Sequence, residues 1–136
     1  MSSISAIAKD FAKRMALKGF DLNFSLNSLK TEIDKIIEST EKSSDGSAKM
    51  NMTDEIGLEA YIGETLLALF NGMWQGEFNE KTNAPNFYLS FIKFGDFSYF
   101  PSHFLGYRIA NGPVEGKFKE HIEDVLIKID SALKSD

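Results

Sequence analysis

The chain has 136 residues, enough for one domain that buries about two thirds of the surface its unfolded form exposes. Its 43% hydrophobic residues, twelve phenylalanines and only three prolines are core-forming material and exclude a disordered chain. The absence of cysteine excludes disulfides, thiolate zinc sites and thiol catalysis, two histidines leave little for a metal centre, and the net charge is −5.

In chain order, Ser2 or Ser3 is placed to cap a first helix carrying Ile4, Ile7, Ala8, Phe11 and Met15 at helical spacing, and Gly19 is placed to end it. Its other face carries Lys9, Lys13 and Arg14, but Asp10 interrupts this basic face, so the helix reads as docked on its own core rather than on a membrane or an acidic partner. A second helix is predicted over residues 26–41, with Leu26, Leu29, Ile33, Ile36 and Ile37 inward. Residues 1–42 therefore read as an antiparallel helical pair. Residues 43–52 are polar around Ser44-Asp45-Gly46-Ser47 and read as a loop, leaving 53–136 as the α+β core of a single domain, 1–136.

The organising stretch runs from Gly57 to Trp74, where Ile56, Ala60, Gly63, Leu67 and Phe70 share a helical face widened by Ile62 and Leu66. Thr53 is the expected cap, with Asp54 and Glu55 in the first turn and Asn71-Gly72 as the stop. Glycine inside a helix costs about 1 kcal/mol relative to alanine, so Gly63 in the middle of an apolar face predicts a backbone or large ring packed directly on it.

From Met73 the period changes to two. Trp74, Gly76 and Phe78 define a first strand, residues 79–85 a turn-rich segment, residues 86–94 a second strand apolar on both faces, and Gly95-Asp96 a two-residue hairpin turn returning residues 97–100. A three-stranded antiparallel meander with 86–94 in the middle follows. Pro101 then opens a short helix through Ala110, Asn111-Gly112-Pro113 stops it, and a final helix over 114–133 carries Phe118, Ile122, Val125, Ile129 and Leu133 inward, to pack on the sheet or along the central helix.

The residues Leu58-Glu-Ala-Tyr-Ile-Gly-Glu64, Asn71-Gly-Met-Trp74, Phe100-Pro-Ser-His-Phe104 and Asn111-Gly112 resemble a family of small bacterial domains of unknown function. The resemblance spans about residues 54–130, with Glu59 standing where the family has a small residue. It implies an α+β domain, some of whose relatives look like immunity proteins of bacterial toxin systems.

The charge is unevenly spread: residues 1–50 hold eight Lys or Arg against seven Asp or Glu, and residues 51–136 hold seven against thirteen. Asp54, Glu55, Glu59, Glu64, Glu77 and Glu80 fall in a stretch without any Lys or Arg, which would repel a nucleic-acid backbone. No phosphate-cradling glycine loop, HExxH-like pair or G-x-S-x-G elbow is present, so no catalytic residue, metal ligand or cofactor-binding residue is assigned. Glu64 is expected to bond a strand amide or the Trp74 indole. Glu59 projects toward the buried face, where a carboxyl either finds a hydrogen-bond partner or has its pKa raised.

These features lead to the expectation of a non-enzymatic α+β protein-interaction domain, which the resemblance implies to be of immunity type, with a small-molecule-binding domain or hydrolase as the alternative. The expected partner is a protein with a basic surface, and Glu64, Glu77, Glu80, Tyr88 and Tyr99 are the candidate binding residues, the two tyrosines as anchors on an outer sheet face. No apolar run reaches the ~20 residues of a membrane span and the N-terminus resembles no export signal, so a cytoplasmic protein with neither membrane nor nucleic-acid partners is expected.

Overall fold

In a computed structural model the molecule is an α+β domain in which helices cover one face of a small antiparallel sheet. The structure describes residues 2–43, 50–76, 78–79, 84–85 and 90–134. Helices α1 (Ser2–Ala16), α2 (Leu26–Ser43) and α3 (Met52–Leu69) precede strand β1 (Met73–Gln75). Strands β2 (Phe78–Asn79), β3 (Ala84–Pro85), β4 (Phe91–Phe94) and β5 (Phe97–Tyr99) follow, and then helices α4 (Pro101–Asn111) and α5 (Phe118–Lys134).

The first two helices present the expected faces: Ile4, Ala8, Phe11 and Met15 of α1, and Leu29, Ile33, Ile36 and Ile37 of α2, are buried. Each finds its principal partner later in the chain, α1 on α3 and α2 on α5. The α1–α3 contact is close, because a Cβ on Gly57 would lie 2.6 Å from the Phe11 ring. Gly19 ends the first helix in the left-handed conformation (φ +92°), with the Phe20 N–H returning to the Met15 carbonyl at 3.0 Å. A positive φ at Phe24 is held by its N–H donating to the Tyr61 hydroxyl at 2.9 Å, and the same hydroxyl meets Ser28 Oγ at 2.6 Å.

Helix α3 is central. Residues 57–63, Thr65 and Leu66 are buried, so it is enclosed nearly all round; Ile56, Leu67 and Phe70 are only partly buried, and the enclosed zone lies nearer the middle than the predicted face. Leu58, Tyr61, Ile62 and Leu66 are each 0–1% exposed, and each contributes about 1.5–3 kcal/mol by leaving water. The expectation for Gly63 is met: a Cβ there would fall 2.2 Å from the Trp74 ring and 3.0 Å from Ile92. The cap differs from expectation. Asn51, not Thr53, closes the helix N-terminus, its side chain accepting the Asp54 N–H at 2.8 Å.

The three-stranded meander is as expected, β4 lying between β1 and β5 with Trp74 opposite Ile92 and Ile92 opposite Tyr99, although the middle strand begins at Phe91 and residues 86–89 of the expected strand lie outside the described residues. Gly95 takes φ +57° at the first turn position, and Phe94 pairs with Phe97 across it. Two details depart from the sequence reading. The first strand stops at Gln75 because Gly76 adopts φ +131°, and Phe78 belongs instead to a separate two-stranded ribbon, β2 with β3. The last helix starts at Phe118 rather than at residue 114, since Gly112–Glu115 forms a 3-10 turn ended by Gly116 at φ +87°. Helix α5 packs on β4 and β5, as anticipated, but its helical partner is α2.

Two buried polar side chains fix that last junction. Asp34 of α2 accepts the Phe118 N–H at 2.7 Å and the Lys119 N–H at 3.0 Å, so a residue from a distant helix satisfies the first amides of α5. Arg108 of α4, 5% exposed, forks onto Glu41 at 2.8 and 2.9 Å and donates to the Gly116 carbonyl at 2.6 Å. These bonds set α4 and the start of α5 side by side.

Candidate functional site

The space left between α4 and α5 is an open groove of about 460 Å³ lined by His103, Phe104, Tyr107, Glu115, Lys117, Glu120 and His121. Each lining element has a local reason for its place. Pro101 starts α4 and the Arg108 fork anchors its end, which presents His103 and Tyr107 outward and Phe104 inward. Phe118 goes into the core under the Asp34 cap, and one turn of α5 then brings His121 beside Phe104.

The groove has an aromatic floor. The His121 ring stacks on Phe104 with centroids 4.7 Å apart and an interplanar angle of 26°, and Phe118, edge-on to Phe104 at 5.5 Å, completes the cluster at 5.6 Å from His121. Above it, Tyr107 is 60% exposed, and His103 lies flat on Phe100 at 4.6 Å. Glu115 and Glu120 against Lys117 give the rim two carboxylates and one ammonium, and Glu115 accepts a hydrogen bond from Asn111 at 2.8 Å.

Behind the floor, the Tyr99 hydroxyl meets His121 Nε2 at 3.0 Å. Burial pushes the His121 pKa down to about 4, so the ring is neutral near pH 7. Burial raises the Tyr99 phenol, reinforced by the charge of Glu59, which keeps the proton on the oxygen. Glu59 of α3 is 3% exposed, and among the described residues its carboxyl forms no hydrogen bond or ion pair. Desolvation, with a smaller contribution from Glu55, raises its pKa to about 8. Of the two outcomes expected for a buried Glu59, this is the second.

Of the predicted binding residues, the structure describes Glu64 and Tyr99. Glu64 accepts the Trp74 indole N–H at 3.0 Å, one of the two partners anticipated for it, which makes it a support of the α3–β1 junction. Tyr99 is no outward anchor: it is 5% exposed because it pairs with Ile92, on the sheet face that α5 covers. Glu77, Glu80 and Tyr88 lie outside the described residues. Sequence reasoning missed the Tyr99–His121 contact and the groove. One signal for them existed, since His121 sits at the edge of the Phe118–Ile122–Val125 stripe, where a side chain lies half in the core.

A second depression, of about 510 Å³ between α1 and α3, is lined by Arg14, Leu17, Lys18, Asn51, Thr53 and Asp54, but its Arg14 and Asp54 are already paired with each other. Among the described residues no three His, Asp or Glu side chains are grouped to hold a metal ion, and no helix is long and apolar enough to cross a membrane.

Fold and site thus define a small α+β domain with an aromatic, weakly acidic groove between its last two helices. No protein-family model, curated protein or solved structure matches the chain.

Proposed function

We propose that this is a non-enzymatic protein-interaction domain acting in the cytoplasm, of the immunity type that its sequence motifs resemble, and that it neutralises a partner with a basic surface. The observation that carries the reading is the α4–α5 groove, whose exposed Tyr107 ring and Glu115 and Glu120 carboxylates suit a basic side chain presented by another protein. The net charge of −5 adds long-range attraction for such a partner.

The test is capture from lysate of the source cell with the wild-type chain and with Glu120→Lys, followed by binding kinetics at two salt concentrations. A partner with a basic surface, associating more slowly at higher salt and more slowly again with Glu120→Lys, supports the reading. An acidic partner, or an association rate indifferent to salt and to the reversal, refutes it.

A second reading, a small-molecule-binding domain or a hydrolase, is favoured by Glu59, a buried carboxyl held protonated near neutrality as catalytic acids are. Its test is a thermal-shift screen of small ligands in which Glu59→Gln abolishes any stabilisation found. Stabilisation that persists in that variant removes Glu59 from the reading.

A further inference from the structure

The Tyr99 hydroxyl determines which nitrogen of His121 carries the proton. Tyr99 is 5% exposed, and among the described residues its hydroxyl is bonded to His121 Nε2 alone. Were the imidazole to donate this bond, the phenol proton would lie buried without an acceptor, at a cost of about 1–3 kcal/mol. Donation by the phenol avoids that cost. It makes Nε2 the acceptor and places the single proton of the neutral ring on Nδ1.

Nδ1 itself is unbonded among the described residues, where no buried side-chain nitrogen or oxygen lacks a partner, so this nitrogen meets solvent. The ring that carries it lines the groove. The site therefore offers the His121 N–H at its floor, the exposed His103 and Tyr107 rings on its wall, and two carboxylates against one ammonium at its rim. An anion fits this poorly, because the floor carries no positive charge and the rim is net negative. A peptide carbonyl fits the donor, and a basic side chain fits the aromatic wall and the carboxylates.

We propose that the α4–α5 groove takes a segment of a partner protein that sets a main-chain carbonyl oxygen on the His121 Nδ1–H and extends a basic side chain across Tyr107 toward Glu115 and Glu120. This rests on the protein-interaction reading and names the chemistry of its contact. Tyr99 is a positioning residue: it touches no ligand and acts by fixing the tautomer of His121.

The test is long-range ¹⁵N–¹H NMR of His121 in the whole protein, free and titrated at millimolar concentration with N-acetyl-arginine N-methylamide or N-acetyl-glutamate N-methylamide. The free protein shows the Nδ1–H tautomer. The arginine probe moves the His121 and Tyr107 resonances while the glutamate probe does not. Tyr99→Phe mixes the tautomers and weakens the arginine probe several-fold; should that variant fail to fold, Glu120→Gln, which weakens the arginine probe alone, stands in its place. An Nε2–H tautomer in the free protein, silence toward both probes, or equal response to both overturns the proposal. A basic partner still bound with unchanged affinity by Glu120→Gln would sink this groove assignment while leaving the interaction reading standing. Arginine-probe binding without any basic partner would do the reverse.

Discussion

Replacing Gly63 by valine drives side-chain carbon into a contact already closed by Trp74 and Ile92. A Cβ at this position stands 2.2 Å from Trp74 Cζ2, 2.4 Å from Cη2 and 3.0 Å from Ile92 Cδ1. Carbon atoms rest about 3.5–4.0 Å apart, so the indole has to retreat by about 1.5 Å. That retreat works against the Trp74–Glu64 hydrogen bond of 3.0 Å, worth about 1 kcal/mol, and against a strand whose register is fixed by Ile92. Overpacking adds about 1–3 kcal/mol, while the gain in helix propensity over glycine is under about 1 kcal/mol. The expected net loss is about 2–3 kcal/mol, with Gly63→Ala losing less because it adds only the first carbon. Thermal unfolding followed by circular dichroism measures it, at about 3 °C of midpoint per kcal/mol for a domain of this size. Tryptophan emission supplies an independent readout, since the sole indole is the group displaced. An unchanged or raised midpoint with unaltered emission would refute the close packing of α3 on β1 and the reasoning built on it.

Two other outcomes follow from buried carboxylates. Glu59, with its pKa raised to about 8, binds a proton in the native state that the unfolded chain releases near the ordinary value of 4.5. Its protonated form therefore contributes stability that is fully present below about pH 4.5 and is lost as pH rises toward 8. Glu59→Gln should remove this decline and be more stable than the wild type at pH 8, as read from urea midpoints at pH 5 and 8; equal pH slopes for the two proteins would contradict it. Asp34→Ala should cost about 1–3 kcal/mol by leaving the first amides of α5 without their acceptor, and hydrogen exchange should then quicken at Phe118 and Lys119 before it does elsewhere. Unchanged protection at those two amides would show that the cap is dispensable.

The features legible in the sequence are those decided within a few residues. The apolar stripes of α1, α2 and α5, the Gly95-Asp96 hairpin and the proline start of α4 are local patterns, and each element formed where its pattern lies. Gly63 was legible for a different reason, since a glycine at the centre of an apolar helical face makes little sense unless something large sits on it. Tyr99 illustrates the limit. Alternation along β5 assigns its side chains to two faces, but which face is covered depends on where α5 lies, and no residue near Tyr99 encodes that. The caps failed likewise: Thr53 is a good cap residue, yet Asn51 supplied the acceptor at α3, and the acceptor for α5 comes from another helix. The groove is made by three such remote decisions together, the Asp34 cap, the Arg108 fork and the Tyr99 register, which is why its residues show no spacing of their own.

The reach of the Asp34 cap bears on the order in which the molecule assembles. Acceptor and donor are 84 residues apart, so closing this contact joins the first third of the chain to its last fifth. During synthesis α2 emerges early and keeps its aspartate waiting, a charged group on the flank of an apolar face, until the final helix arrives. Closing so long a loop costs entropy that only the packing of α2 on α5 returns, so this contact cannot persist before α5 is in place. The groove walled by α5 therefore exists only once residues far apart in the chain have met.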